Sequence, residues 1–316
     1  MKKFIKEITV YILVLLLISI IGQVIVDSRI KDRTVRGHDN IDVVKDQDNG
    51  LVFLGSSRCW VHFDPLLFEK GLGMKAVNLG VDGHSELSMP IIRLKDYLEK
   101  NKAPKEVILN FDPFVQAGSF DKNTNFVHKN DFARYAYNCP KDDELFANYF
   151  RFDFFERHIP LYALLKYKLF FDCLTLKNVS AWAKYGYEKH DESWDTVSNP
   201  VKTDHIKDYF DTTASALDEL KGRLDSLNTL CKQNNIKLIC VQTPVYKAIY
   251  VKRYFSLTGQ ICDDLKIPFF DLNRDSIDDN IDLFYNSNHL NTAGVRAMTS
   301  NLLSDPDFLQ IVRSPL

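Results

Sequence analysis

Two short segments, far apart in the chain, carry side chains that together could perform acyl transfer. Ser57 lies in Gly55-Ser56-Ser57-Arg58, and His289 ends Asn286-Ser287-Asn288-His289. A serine hydroxyl can attack an ester carbonyl when an imidazole accepts its proton and backbone N–H groups stabilise the oxyanion. The two segments therefore supply a hydroxyl that could attack and an imidazole that could accept its proton.

The elements around these segments predict a parallel sheet that would bring them together. Apolar runs predict strands, and amphipathic runs predict helices between them; the predicted strands are 51–54, 74–79, 106–109, 236–243 and 267–271, and the predicted helices are 65–70, 86–100, 214–233 and 250–265. This alternation is typical of a sheet covered by helices on both faces. Because ligands of such sheets gather at the carboxyl ends of the strands, we expect Ser57, a glycine turn at 78–83, Asn110 and His289 on one rim.

These blocks resemble those of the SGNH (GDSL-like) hydrolase superfamily, and in particular its membrane-anchored bacterial members with a G-S-S-R opening motif. The resemblance covers residues 50–303 apart from an insertion, and it implies a three-layer α/β/α, flavodoxin-like fold. It also implies that Ser57 is the nucleophile and that His289 is the base. The N–H groups of Ser57 and of Gly83, the last glycine of the second block, would stabilise the oxyanion.

The chain departs from the family pattern at two blocks. The third block, normally G-x-N-D, is replaced by Asn110-Phe111-Asp112-Pro113, which leaves Asn110 as the candidate oxyanion carboxamide. Asn286 takes the acidic position of the D-x-x-H block, and an amide can orient a histidine ring but brings no charge to stabilise an imidazolium. Asp282 or Asp271 could supply a carboxylate instead, and the site could also be catalytically impaired.

For the two residues that follow Ser57 we expect structural roles. Arg58 could bind an anionic group of a substrate, but we expect a salt bridge that ties its loop to the fold. Cys59 is expected to be a small buried side chain and not a second nucleophile.

The first residues of the chain predict a membrane anchor. Residues 8–26 are nineteen consecutive residues without a charge, and at 1.5 Å per residue they span about 28 Å, close to the thickness of a bilayer's hydrocarbon core. We expect an uncleaved, single-pass anchor at 1–28, with a cleaved signal peptide as the alternative, a stalk at 29–48 and an SGNH-like domain at 49–316. Basic residues flank the apolar run on both sides, so the placement of this domain outside the cytoplasm rests on the expected function.

An insertion interrupts the alternation of strands and helices. Residues 112–205 hold 20 of the chain's 39 aromatic residues. A helical cap with a small core of its own is the favoured interpretation, ahead of a ligand-binding lid. Aromatic residues in 149–155 could alternatively lie against the membrane surface.

Composition and resemblance together restrict the classes of ligand and partner that we expect. Forty basic and forty-two acidic residues give a net charge of -2, which argues against a nucleic-acid partner. The cysteine and histidine spacing predicts no metal site, and the expected chemistry needs no cofactor. The resemblance implies hydrolysis or O-acyl transfer of esters on a cell-surface carbohydrate, beside a multi-spanning acyltransferase partner in the membrane. A catalytically impaired protein that binds a glycan or such a partner is the alternative.

Overall fold

The computed structural model describes residues 1–32, 48–81, 86–115, 153–167, 185–201, 210–273 and 275–314. It divides into two units, one formed by Met1–Gly37 with Phe120–Val179 and the other by His38–Ser119 with Ser180–Leu316. The first unit holds the apolar N-terminal helix, and the second holds the sheet.

The described elements are numbered in chain order. The helices are α1 (Lys2–Asp32), α2 (Ser57–His62), α3 (Pro65–Leu72), α4 (Ser88–Lys100), α5 (Phe154–His158), α6 (Tyr162–Lys166), α7 (Ala214–Gln233), α8 (Lys252–Asp264), α9 (Asp275–Asp278), α10 (Thr292–Ser304) and α11 (Pro306–Arg313). The strands are β1 (Leu51–Leu54), β2 (Ala76–Asn78), β3 (Glu106–Asn110), β4 (Lys237–Gln242), β5 (Phe269–Asp271), β6 (Phe284–Asn286) and β7 (His289–Leu290). Two 3₁₀ turns cover Lys247–Ile249 and Ile281–Leu283.

Five of these strands form one parallel sheet in the order β2-β1-β3-β4-β5. Val52 of β1 pairs with Val77 of β2 on one side and with Val107 of β3 on the other. This order is that of a flavodoxin-like, doubly wound sheet, in which β2 is added on one side of β1 and the later strands are added on the other side. The predicted parallel α/β fold is confirmed.

Helices cover both faces of this sheet, which explains why its strands are apolar without alternation. Leu51 and Phe53 face a core shared with α3, α10 and α11, where Met298 and Phe308 are buried. Val52 and its alternate neighbours are also buried, on the side where α4 contacts β1 and α7 contacts β4. Strands buried on both faces have continuous apolar runs, and helices on both faces give the three layers.

A short antiparallel hairpin, which the sequence did not predict, follows the sheet. Its strands β6 and β7 pair Phe284 with Leu290 and Asn286 with His289. The hairpin leads directly into α10, whose N-cap Asn291 accepts hydrogen bonds from the N–H groups of Ala293 and Gly294. This capped helix start holds the hairpin at the edge of the sheet.

The first unit contains one helix that is long and apolar enough to cross a membrane. This helix, α1, has a mean hydropathy of 2.7 in its most apolar window, and the candidate span is Lys2–Val26. The helix continues to Asp32, so it includes the first four residues of the predicted stalk, and residues 33–47 of that stalk lie outside the described residues. Of the predicted insertion, the described part consists of 112–115, α5 and α6 within 153–167, and 185–201.

Candidate active site

The end of β1 presents Ser57 at the start of a helix. Gly55 has φ +150°, and a β-carbon there would lie 2.7 Å from Cβ of Cys59 and 3.0 Å from Cβ of Asn110, so only glycine fits this turn. Ser56 is the N-cap of α2, which makes Ser57 its first residue. The N–H of a first helical residue has no acceptor inside its helix, so that of Ser57 is available to an oxyanion.

Ser57, His289 and Asn286 form a hydrogen-bonded line. The Ser57 hydroxyl lies 3.0 Å from Nε2 of His289, and Nδ1 of the same ring lies 3.0 Å from Oδ1 of Asn286. Ser57 and His289 are 232 positions apart in the sequence, and the fold brings them together at the carboxyl edge of the sheet. A neutral ring that donates from Nδ1 accepts the serine proton at Nε2, which is the geometry of a general base.

The turn of the hairpin determines which atom of Asn286 faces the ring. Its Oδ1 also accepts hydrogen bonds from the backbone N–H groups of Asn288 at 3.1 Å and His289 at 2.9 Å. Three donors on one oxygen exclude the flipped amide, since an NH₂ group could not accept these hydrogens. Asn286 therefore holds the His289 ring in the tautomer that catalysis needs.

Neither alternative carboxylate reaches the histidine. Oδ1 of Asp271 accepts hydrogen bonds from the backbone and side-chain amides of Asn273, at 3.0 and 2.7 Å. Asp282 is exposed, and its backbone carbonyl accepts a hydrogen bond from Asn291. The hypothesis that one of these two carboxylates orients His289 is contradicted by the hydrogen bond to Asn286.

The surroundings of His289 disfavour its charged form. Burial, and then the positive charge of Arg58 and His190, lower the pKa of His289 to about 3. Asn286 offers no negative charge in return. The ring is therefore neutral and able to accept a proton at neutral pH, but the imidazolium formed during proton transfer is poorly stabilised.

Arg58 ties the loops of the site together. It is buried, and its Nε donates to Oδ2 of Asp112 at 2.5 Å. Its other nitrogens donate to the carbonyl oxygens of Asn288, Thr243 and Pro244 and to the Thr243 hydroxyl. The expected salt bridge is confirmed, and it joins the turns after β1, β3 and β4 to the residue beside the candidate base.

A second histidine, which the sequence analysis did not single out, supports the same turn. Nε2 of His62 accepts the backbone N–H of Leu290 at 2.9 Å, so its Nδ1 carries the proton and donates to the Thr243 hydroxyl at 2.8 Å. Burial, followed by the charge of Arg58, lowers the pKa of His62 well below its usual value. His62 is therefore a neutral bridge between α2 and β7; its place on the inner face of α2 was the only signal in the sequence.

Asn110, from the third block of the motif, is hydrogen-bonded within the network around Arg58. The Asn110 amide donates to Oδ2 of Asp112 at 3.2 Å and to the Val241 carbonyl and the Thr243 hydroxyl, both at 3.3 Å. Its side chain is buried, and within the described residues its Oδ1 has no hydrogen-bond partner. Asn110 cannot donate to an oxyanion without releasing one of these bonds, so the geometry does not support its predicted role.

The second block is described up to Val81. The Asn78 amide donates to the Cys59 and Phe63 carbonyls, both at 2.8 Å, and its Oδ1 accepts the Gly80 N–H at 2.9 Å. A β-carbon at Gly80 would lie 2.5 Å from the backbone nitrogen of Trp60, so this turn presses against α2. Gly83, the predicted second oxyanion donor, lies outside the described residues.

Cys59 behaves as the sequence analysis expected. Its side chain is buried, and burial raises the pKa of its thiol well above the usual value. A thiol that stays protonated is not a nucleophile. Of the two side chains, only Ser57 contacts the imidazole of His289.

Aromatic rings extend from the histidine toward the insertion. The Tyr285 ring stacks on His289 with centroids 5.4 Å apart and on His190 with centroids 4.1 Å apart. The carbonyl of His190 accepts hydrogen bonds from the backbone N–H and the hydroxyl of Thr292, at 2.7 and 2.9 Å. The segment 185–201 of the insertion therefore forms one wall of the site, which no pattern in its sequence predicted.

These features define an α/β protein with a hydrogen-bonded serine, histidine and asparagine at the carboxyl edge of a parallel sheet. The sequence matches no family model and no curated protein. Its fold is similar to that of a GDSL-like lipase from Bacteroides thetaiotaomicron, with 15% identity, a TM-score of 0.36, and coverage of 79% of this chain and 83% of the other. A structure from Bacteroides fragilis described as an acylhydrolase gives 14% identity, a TM-score of 0.37, and coverage of 87% and 94%.

Proposed function

We propose that the protein is a membrane-anchored serine esterase or O-acyltransferase that acts on acyl esters of a cell-surface carbohydrate. The observation that carries the proposal is the 3.0 Å contact of the Ser57 hydroxyl with Nε2 of His289, whose Nδ1 is held by Asn286. The motif resemblance supports the carbohydrate substrate, and α1 supports the location at the membrane. An extracytoplasmic body would have direct access to such a substrate.

The proposed reaction has two halves that share one acyl-enzyme. The Ser57 oxygen attacks the ester carbonyl while its proton moves to Nε2 of His289, and the N–H of Ser57 stabilises the oxyanion. The bond to the alcohol then breaks, and that alcohol takes the proton from His289. In the second half, the ring deprotonates the incoming hydroxyl, which attacks the acyl carbonyl and releases Ser57.

Hydrolysis and transfer differ only in that incoming hydroxyl. Water gives a free acid, whereas a sugar hydroxyl gives a new ester. A transferase would take its acyl group at the membrane, where a multi-spanning acyltransferase partner could supply it.

Labelling with a fluorophosphonate probe tests the proposal. The full chain in native membranes should be labelled, and Ser57→Ala should remove the label. Ser287→Ala is the matched control, because Ser287 lies in the same rim and its contact there is through its backbone carbonyl, which accepts the Tyr246 N–H. No labelling of a folded wild-type chain, or labelling that survives Ser57→Ala, overturns the nucleophile.

A binding protein is the second candidate, and Asn286 is the observation that favours it. With an amide beside the ring and a His289 pKa lowered to about 3, proton transfer from serine is unfavourable. This candidate predicts that the folded chain stays unlabelled and does not hydrolyse nitrophenyl acetate. It also predicts that Ser57→Ala complements a cell that lacks the protein as well as the wild-type chain does. Retention of acetylated glycan by the purified chain would then identify its ligand.

A further inference from the structure

The first unit contains a contact between the apolar helix and the insertion. Gln23 is one of the few polar residues in the apolar part of α1. Its Oε1 accepts a hydrogen bond from the backbone N–H of Leu161 at 2.7 Å. One residue earlier, a β-carbon at Gly22 would lie 2.8 Å from Cδ1 of Leu161, so the leucine packs against bare helix backbone. Residues 153–167 are thus docked on one side of α1.

The position of this contact along α1 gives the depth of the docked segment. The candidate membrane span ends at Val26, three residues after Gln23, which is about 5 Å at the rise of an α-helix. Leu161 therefore lies level with the last turn of the span. In a membrane that α1 crosses, this level is the boundary between acyl chains and headgroups.

The docked segment turns apolar side chains outward. Its large exposed side chains are Phe154 (68% exposed), Phe155 (57%), Ile159 (46%), Tyr162 (41%) and Leu165 (47%). A segment folded for water would bury such side chains, and this one leaves five of them on the surface of fifteen residues. These exposed side chains belong to the segment that contacts α1 through Leu161.

One of the two carboxylates of the segment is turned inward. Glu156 is buried; it accepts the Tyr167 hydroxyl at 2.6 Å, forms an ion pair with Lys166 and closes a capping box with Asp153. The carboxylate of Asp153 is exposed at the N-cap of α5. An exposed carboxylate would be costly among acyl chains, so the segment suits the headgroup layer and not the hydrocarbon core.

We propose that residues 153–167 lie in the interfacial layer of the membrane, with the rings of Phe154, Phe155 and Tyr162 among the lipid headgroups and upper acyl chains. A lipid surface is the occupant because the segment is docked on α1 through Leu161, at the level where the candidate span ends. Phe and Tyr side chains partition into this layer, and the cation of Lys166, 5.8 Å from the Tyr162 ring centroid, lies where a lysine can reach lipid phosphate.

Photo-crosslinking of the full chain in vesicles of phosphatidylethanolamine and phosphatidylglycerol tests this placement. Benzoylphenylalanine replaces Leu15 in α1, Phe155, or Val197, an apolar residue of the other unit that is also fully accessible. Lipid adducts are then measured by mass spectrometry. We expect strong adducts at Leu15, adducts at Phe155 several-fold above those at Val197, and mostly headgroup-proximal attachment at Phe155.

The three crosslinker positions distinguish an error in the interfacial placement of 153–167 from an error in the membrane anchor. Adducts at Leu15 without an excess at Phe155 over Val197 overturn the interfacial placement and leave the anchor intact. Absence of adducts at Leu15 overturns the anchor and the placement with it. The readout needs no catalysis, so neither outcome depends on Ser57.

A helix variant tests the docking contact itself. Gly22→Val keeps α1 apolar but places a side chain where Leu161 packs, so adducts at Phe155 should fall while those at Leu15 persist. Ile18→Val is the matched control for a changed volume in the same helix. Unchanged adducts at Phe155 in Gly22→Val would show that this contact does not hold the segment at its depth, which overturns the depth assignment.

Discussion

His289 directs Nδ1 at the amide oxygen of Asn286, 3.0 Å away across the β6–β7 register. The site therefore has the orientation of a catalytic triad without its negative charge. In serine proteases, replacing the triad Asp with Asn lowers kcat by about 10⁴, largely because the ring takes the wrong tautomer. Here the backbone donors on the same oxygen secure the right tautomer, so the missing charge is the remaining defect.

Asn286→Asp should supply that charge. A carboxylate at this position raises the pKa of His289 and stabilises the imidazolium, and we expect ester turnover to rise at least ~10-fold, a barrier reduction of about 1.4 kcal/mol. Hydrolysis of nitrophenyl acetate by the full chain measures it.

The pH profile of the same variant provides a second check. The wild-type base, with its pKa lowered to about 3, stays neutral across the mildly acidic range, so the wild-type rate should not fall there through protonation of His289. The rate of Asn286→Asp should fall as the pH drops through the raised pKa. Asp282→Asn is the control and should leave both properties unchanged; equal rates and profiles in all three proteins would contradict the role of Asn286.

Arg58→Met should destabilise the fold and disassemble the site. It leaves buried Asp112 uncompensated and removes donors from three loops, at an expected cost of about 3–5 kcal/mol in the free energy of unfolding. Denaturant unfolding of the full chain in detergent measures the loss, and fluorophosphonate labelling of Ser57 should disappear.

Two variants make that expectation specific. Arg58→Met with Asp112→Leu should lose less stability than the sum of the single variants, because no charge is left buried. Lys221→Met removes the exposed pair with Asp264 and should cost no more than about 1 kcal/mol. A cost for Arg58→Met as small as that would contradict the importance of the network.

Stability should fall with acid below the usual pKa of histidine. The pKa values of His62 and His289 are lowered in the folded state, whereas both are near 6.5 in the unfolded chain. Their contribution is thus complete above about pH 6.5 and is lost as the pH falls from there, for His289 down to about 3, by up to about 1.4 kcal/mol per pH unit for each histidine. Urea unfolding between pH 4 and 7 measures the slope.

Removing one of the two histidines should flatten that dependence. His62→Phe loses the acceptor of the Leu290 N–H and should be less stable at neutral pH, but its stability should depend less steeply on pH in the same window. His158→Phe, at an exposed position, is the control and should keep the wild-type slope. A wild-type slope in His62→Phe would show that this histidine is not the titrating group.

Two glycines should respond to alanine in opposite directions. A β-carbon at Gly80 would lie 2.5 Å from the Trp60 backbone nitrogen, whereas one at Gly222 in α7 would meet nothing within 4 Å. Gly80→Ala should lower the free energy of unfolding by about 1–3 kcal/mol, and Gly222→Ala should raise it by about 0.5–1 kcal/mol. Thermal unfolding compares the two, and a neutral Gly80→Ala would contradict the close approach of its turn to α2.

The sequence predicted the parts of this molecule that depend on local pattern. The helix at 214–233 has the observed bounds of α7, since Thr213 caps its start and its apolar spacing ends at Gln233. The central strands were evident because burial on both faces leaves them uniformly apolar. The closeness of Ser57 and His289 followed from the convergence of strand ends at a single sheet edge, and their expected roles came from the motif resemblance.

The parts that the sequence did not predict depend on contacts between distant loops. The strands β6 and β7 are three and two residues long, too short for any alternation to be visible, and their pairing is set by the Asn286 turn. The role of His62 depends on its hydrogen bond from Leu290 in β7, and that of His190 depends on its hydrogen bonds from Thr292 in α10. Asn110 was assigned by its position in a motif, whereas the buried bonds around Arg58 determine its actual surroundings.

The distance of 232 residues between Ser57 and His289 has a consequence for the life of the chain before it is complete. During synthesis the serine emerges long before its partner, and until the β6–β7 hairpin has formed it is an ordinary alcohol. A stalled or truncated chain that ends before the hairpin therefore lacks the Ser57–His289 contact on which the proposed chemistry depends.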